Sequence, residues 1–219
     1  NRYPVKISIV YDNTALEDYQ ADWGFSCLIE GDQTILFDTG AHSDILLDNM
    51  KTMGIDPASI SEVFISHNHW DHRDGLPGLL PFNPDLKIYL PHDFKSRYTQ
   101  NATILADHGH IHGQFYTTGM LNKIEQSLLI STANGLVVIV GCSHPGLDRI
   151  LEKAREVGKT IGNTNIHAVI GGLHGFSQFE ILKKVDRICP THCTQHIDKI
   201  KRRYPEQYVL GGVGRVIHL

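Results

Sequence analysis

The sequence predicts an α/β sandwich of four layers, with two mixed sheets packed face to face and helices outside. Two observations carry that prediction. Each half of the chain opens with hairpin signals, and each then passes into strand–helix alternation. A third sets the scale: 219 residues, 41% hydrophobic and 20% charged, suit one globular domain over 1–219 rather than a disordered chain.

Val5 to Tyr11 and Gly24 to Glu30 are β-rich, and Thr34 to Phe37 follows the Gly31-Asp32 turn as a hairpin arm. Ser43 reads as the N-cap of a helix through Met53, with Ile45, Leu46, Met50 and Met53 on one face and Gly54 as its stop. Glu62 to Ser66 is a short strand that delivers the chain into His67, and Leu86 to Leu90 is another. From Pro91 to Asn122 the sequence turns polar and glycine- and histidine-containing, which reads as a long loop or irregular helix. Gln126 to Thr132 and Leu136 to Val140 form a second hairpin about Ala133-Asn134-Gly135. After Pro145 a helix runs to about Val157, with Gly158 expected to end it. Ile166 to Ile170 is a buried strand leading into Gly171-Gly172. A helix around Phe179 to Val185, a strand at Arg187 to Cys189, a helix around Gln195 to Tyr204 and a closing pair of strands complete the reading.

Composition narrows the function classes. Twenty Lys+Arg against 24 Asp+Glu give a formal charge of −4, the wrong sign for a dedicated nucleic-acid binder. The short basic cluster Lys199 to Arg203 reads as a solvated helix face. No apolar run approaches membrane-spanning length, so a soluble protein with no membrane partner is expected. The four cysteines, Cys27, Cys142, Cys189 and Cys193, include no C-x-x-C pair, and the cytoplasm is the default location. Cys27 and Cys189 read as small buried hydrophobes.

Histidine is the outlier, with 14 residues. The decisive segment is His67-Asn68-His69-Trp70-Asp71-His72, an H-x-H-x-D-H pattern at a strand end. Imidazole and carboxylate are the donors that zinc-like cations accept. In a turn after the strand, His67 and His69 can face one ion while Asp71 and His72 serve a second. His144 follows an apolar strand and is the candidate third ligand of the first ion. His192 likewise ends a strand before a helix and is a further candidate ligand; an alternative i, i+4 helical pair with His196 is disfavoured by Pro190. His174, beside Gly171-Gly172, suits contact with a substrate oxyanion or phosphate. His108, His110 and His112 read as exposed loop residues, because Gly109 and Gly113 are expected to break any strand face.

The pattern resembles the hallmark of the metallo-β-lactamase superfamily, and the resemblance spans nearly the whole chain. Ile35-Leu36-Phe37-Asp38-Thr39-Gly40 is similar to that family's strand ending in D-x-G, which implies that Asp38 supports the metal loop without touching metal. Val10-Tyr11-Asp12-Asn13, Glu125-Gln126-Ser127-Leu128, Gly141-Cys142-Ser143-His144-Pro145-Gly146, Ile170-Gly171-Gly172-Leu173-His174 and Pro190-Thr191-His192-Cys193-Thr194 resemble a subgroup. That subgroup holds the archaeal dihydropterin–ribofuranosylaminobenzene phosphate synthases and many hydrolase-like proteins. The resemblance implies two divalent ions, zinc foremost with iron or manganese as alternatives, held by His67, His69, Asp71, His72, His144 and His192. It also brings Asp12 and Asn13 toward the site. Where many relatives carry a bridging aspartate this chain has Cys142, either a thiolate ligand or a packed wall; without the carboxylate the second ion is expected to be held less tightly.

Three readings follow. The leading one is a metal-dependent hydrolase in which Asp71 orients an activated water and passes its proton, acting on a small-molecule phosphoester, thioester or lactone. The second is a transferase that joins a dihydropterin methyl diphosphate to a ribosylaminobenzene-type acceptor with release of pyrophosphate. The third is a non-catalytic metal sensor, against which the complete ligand pattern argues. Oligomeric state is not set by the sequence.

Overall fold

The computed structural model describes residues 2–219. Thirteen strands form two sheets. The first contains β1 (Lys6–Tyr11), β2 (Ser26–Glu30), β3 (Thr34–Phe37), β4 (Glu62–Phe64), β5 (Lys87–Leu90), β6 (Thr103–Ile104) and β13 (Val216–His218), in the order β13-β1-β2-β3-β4-β5-β6. The second contains β7 (Gly109–His112), β8 (Phe115–Thr117), β9 (Leu128–Thr132), β10 (Gly135–Val140), β11 (Ile166–Gly172) and β12 (Arg187–Thr191), in the order β12-β11-β10-β9-β8-β7. Both sheets are mixed. Antiparallel hairpins β2–β3 and β9–β10 lead into the parallel pairs β3–β4, β4–β5, β10–β11 and β11–β12.

Burial on both faces explains the unbroken apolar runs. In β10, Val137 and Ile139 point into the inter-sheet core, where they join Ile7, Ile9, Phe25, Phe37, Phe64, Phe115 and Ile170. The alternate residues Leu136, Val138 and Val140 meet the helices α3 (Leu147–Ile161) and α4 (Ile197–Arg203) through Ile150, Leu151, Ala154 and Ile200. On the opposite flank, Leu36, Val63 and Ile65 pack against Leu46 and Met50 of α1 (Ser43–Met53). The result is the expected α/β/β/α layering. Cys27 and Cys189 lie in the inter-sheet core.

Local chemistry corrects several boundaries. His42, not Ser43, is the N-cap of α1; Ser43 sits one position inside, where its hydroxyl donates to Gly75 O at 3.1 Å. Helix α3 runs past Gly158 and ends at Gly162, which takes the left-handed cap (φ 65°). The Pro91–Asn122 stretch is not a featureless loop. It holds β6, β7 and β8, because β8 pairs with both β9 and β7, and Gly113 (φ 52°) makes the β7–β8 turn instead of breaking the strand. Phe179–Leu182 is one 3₁₀ turn rather than a helix to Val185, and β13 closes the chain paired with β1, preceded by isolated bridges, Ile188 to Tyr208 and Ala15 to Val213, rather than by a second closing strand.

Candidate metal centre

Strands β1, β3, β4, β10, β11 and β12 all point toward one rim of the sandwich, and the chain segments leaving them carry the chemistry. Asp38 follows β3, His67 and His69 follow β4, His144 follows β10, His174 follows β11 and His192 follows β12. The chain must turn sharply at these ends. Asp38, Ser143, His174 and His192 accordingly take left-handed backbone angles (φ 52°, 61°, 50° and 50°), a region that Asp and His tolerate better than most side chains. The short helix α2 (Trp70–Arg73), capped by His69, buries Asp71 and His72.

Two donor groups result. Nitrogens of His67, His69 and His144 lie within 4.8 Å of one another. The buried Nε2 atoms of His67 and His144 have no hydrogen-bond partner among the described residues. Burial, reinforced by the neighbouring imidazoles, holds the His67 pKa well below its ordinary value, moves His69 down, and pushes His144 down to about 4. Three neutral imidazoles thus present lone pairs to one point, an arrangement that is costly without a cation and fits one with it.

Asp71, His72 and His192 form the second group. His192 Nε2 stands 3.1 Å from Asp71 Oδ2 and 3.2 Å from His72 Nε2. Partial burial pushes the Asp71 carboxyl up, but the hydrogen bond with His192 and the nearby His72 bring it down to about 2. This group, too, fits a cation: one carboxylate and two imidazole nitrogens crowd together within 4.8 Å of one another.

Supporting residues fix the tautomers. His67 Nδ1 donates to Ser66 Oγ (2.8 Å), Ser66 Oγ donates to Asp38 Oδ2 (2.6 Å), and His72 Nδ1 donates to the same oxygen (2.7 Å). Asp38 is fully buried and also accepts from Ser66 N at 2.7 Å. It reaches one donor group directly at His72 and the other through Ser66, without belonging to either. His192 Nδ1 donates to Asn13 Oδ1 at 2.8 Å, while Asp12 Oδ1 accepts from His192 N at 2.9 Å. Each imidazole so held turns its Nε2 to the centre.

Cys142 Sγ lies 3.2 Å from His72 Nε2 and falls within 4.8 Å of donor atoms of His67 and His72 together, so it faces the seam between the groups. His174 is exposed at the rim, its ring 4.8 Å from that of His144, and both border a cavity of about 330 Å³ with Leu173, Phe176 and Gln178. His108 and His110 play no part here: His108 is exposed and His110 Nε2 donates to Gly113 O at 2.9 Å. His112 is not a free loop residue either, for its Nε2 meets Glu62 Oε2 at 2.6 Å and ties β7 to β4.

Two contributors carried no assigned role in the sequence reading. Glu125, fully buried, accepts from the backbone N–H groups of Cys142, Ser143 and His144 at 3.2, 2.9 and 3.2 Å, and so shapes the loop that presents His144. The sequence signals were a charged residue just ahead of a buried strand and its place in the Glu125-Gln126-Ser127-Leu128 segment of the subgroup resemblance, neither of which gave it a role. Trp23 donates from Nε1 to Asp71 Oδ2 at 2.9 Å and packs edge-on against His192, with ring centroids 5.2 Å apart. Nothing in its sequence context pointed there.

Residues 24–96, which include the H-x-H-x-D-H segment, match the Metallo-beta-lactamase superfamily model. The chain is 28% identical to the 7,8-dihydropterin-6-methyl-4-(β-D-ribofuranosyl)-aminobenzene-5′-phosphate synthase of Methanocaldococcus jannaschii, over 86% of this chain and 89% of that protein. It is 27% identical to the uncharacterized protein MJ0448 of the same organism, over 96% and 99%. Among solved structures it is similar to Tm1679, a metal-dependent hydrolase of the β-lactamase superfamily, with a TM-score of 0.80 at 24% identity, covering 98% of this chain and 99% of that one. With two mixed sheets, outer helices and a strand-end histidine cluster, the chain has the fold of the metallo-β-lactamase-type structures it resembles, and its residues 24–96 match that superfamily's model.

Proposed function

We propose that the protein is a metal-dependent hydrolase of a small-molecule phosphoester, thioester or lactone, working through the paired donor groups at the sandwich rim. The observation that carries this reading is the adjacency of His67/His69/His144 and Asp71/His72/His192, with unpartnered imidazole nitrogens aimed inward. The donor set, imidazoles with one carboxylate, suits two zinc ions better than magnesium, with iron or manganese as alternatives. Ions bound there supply Lewis acidity, lowering the pKa of water and polarising the substrate's ester or phosphoryl oxygen.

The chain's own residues do the rest. Asp71 is ionised at neutral pH and is placed to take a proton at its carboxylate and return it to the leaving group. Asp38, Ser66 and Asn13 hold the ligand imidazoles in the tautomers that leave Nε2 as the acceptor. His174 borders the 330 Å³ cavity, where it can donate to an oxyanion or phosphate oxygen of a substrate lodged against Leu173 and Phe176. No helix among the described residues is long and apolar enough to cross a membrane, and four free buried cysteines suit a reducing, cytoplasmic setting.

The likeness to a synthase supports a second reading, transfer to an aromatic acceptor with pyrophosphate as leaving group. Metal analysis of purified protein, followed by assays on phosphodiester, lactone and thioester panels, separates the two. Turnover with water alone is expected. Turnover only when a pterin diphosphate and a ribosylaminobenzene acceptor are supplied together would make the protein a transferase. Tight metal binding with no turnover in either assay would overturn both.

A further inference from the structure

Four cysteines are buried, and two of them, Cys142 and Cys193, lie outside the hydrophobic core clusters. Cys142 follows β10 and Cys193 follows β12, with β11 lying between those strands in the sheet. Strands two apart stand roughly 9.6 Å from each other, too far for cysteines at equivalent positions to meet. Here they do meet: the sulfurs of Cys142 and Cys193 lie within 4.8 Å of one another and of a ring nitrogen of His192. Gly172, the last residue of β11, opens the gap. A Cβ on Gly172 would stand 2.8 Å from Cys193 Sγ and 3.3 Å from Cys142 Cα, so any side chain there would force the thiols apart.

We propose that Cys142 and Cys193 are a reversible oxidation site, closing to a disulfide across Gly172 when a peroxide reaches the rim and thereby taking the Cys142 sulfur away from the metal centre. The sulfurs need to close by less than about 3 Å to reach bonding distance, within the range of side-chain rotation. Both backbones are anchored, Cys142 N by Glu125 Oε2 (3.2 Å) and the turn after Cys193 by Thr194 N to Thr191 O (3.0 Å), so the thiols move and the sheet stays. Cys193, at 9% exposure against 3% for Cys142, is the first to be oxidised. Its thiol loses a proton, the thiolate attacks one peroxide oxygen, the O–O bond breaks, and sulfenic acid forms while the departing hydroxide takes up the thiol's proton as water. The Cys142 thiol then attacks the sulfenic sulfur, the S–S bond forms, and the departing hydroxide leaves as water with the thiol proton. A dithiol reductant reverses the change by exchange. Cys142 Sγ faces His72 Nε2 at 3.2 Å in the reduced protein, and the disulfide removes it from that position.

The test is peptide mapping of the metal-loaded protein after hydrogen peroxide, with alkylation of remaining thiols under denaturing conditions. The expected product lacks two hydrogens, keeps Cys27 and Cys189 alkylatable, and contains one Cys142–Cys193 cross-link that dithiothreitol removes. Metal content is expected to fall with the cross-link and recover after reduction and reloading. Cys193→Ser is expected to give no cross-link and to keep its metal under the same treatment. Four alkylatable thiols after oxidation, a Cys27–Cys189 link, or overoxidation without any link would overturn the proposal. The map is read without turnover, so it stands or falls apart from the hydrolase reading, and the wild-type result decides even if the variant fails to fold.

Discussion

At Asp38 one carboxylate receives His72 directly and His67 through Ser66, so its loss reaches both donor groups. Asp38→Ala is expected to weaken metal binding about 10- to 100-fold at both positions, measured by competition with a chromophoric chelator. Among the donor residues Asn13 meets His192 alone, and Asn13→Ala is expected to weaken one ion by a similar factor while leaving the other. Equal loss at both would refute that division. Glu125 gives a pH signature. Burial pushes its carboxyl up to about 7, so between its ordinary value and 7 the folded protein holds a proton that the unfolded chain has released. The contribution of Glu125 to stability therefore falls as pH rises through that window. In metal-free protein, the urea midpoint of wild type relative to Glu125→Gln is expected to drop between pH 5 and pH 7 by the direction of this linkage; a rise would contradict it. Asp71, His67, His69 and His72 were legible in the sequence because they sit within six residues of each other. The roles of Asn13, Glu125 and Trp23 were not, since each depends on a residue far along the chain: Asn13 meets His192, and Glu125 meets Cys142 to His144.

The hairpins and doubly buried strands were readable because apolar runs bounded by turn residues leave little choice of structure. The Pro91–Asn122 stretch was not, because its strands are two to four residues long and gain their ladder bonds from β5, β9 and each other rather than from local preference. Helix α3 shows the same limit at one residue. Gly158 looked like a terminator, yet it is helical and buried, and a Cβ there would stand 2.2 Å from Asn163 O, where the chain folds back. Gly158→Ala improves helix propensity, but overlap with backbone outweighs that gain. The variant is expected to lose roughly 1–3 kcal/mol in urea unfolding. A neutral or stabilising effect would show that the return of the chain can shift freely.

Across the whole molecule, the first sheet contributes His67, His69, Asp71 and His72 while the second contributes His144 and His192. Ions bound to both would tie the sheets together. Free metal at about a thousand times its dissociation constant is expected to raise unfolding stability by roughly 4 kcal/mol per site, and chelation to reverse it. A midpoint indifferent to metal would mean that the folded chain does not bind it in preference to the unfolded one. The two donor groups also differ in depth. His69 and His144 are half-buried, whereas Asp71, His72 and His192 are all buried, with Trp23 laid over Asp71 and His192. If an ion occupies each group, the site is expected to behave as a stack with one open end: the inner position loads first, and the outer ion departs before the inner one follows. Order of departure is then set by the route rather than by affinity, and the inner ion, even if less tightly held at equilibrium, leaves last. Trp23→Ala cuts a second door. It is expected to speed release of the inner ion in stopped-flow chelation and to erase the lag between the two departures.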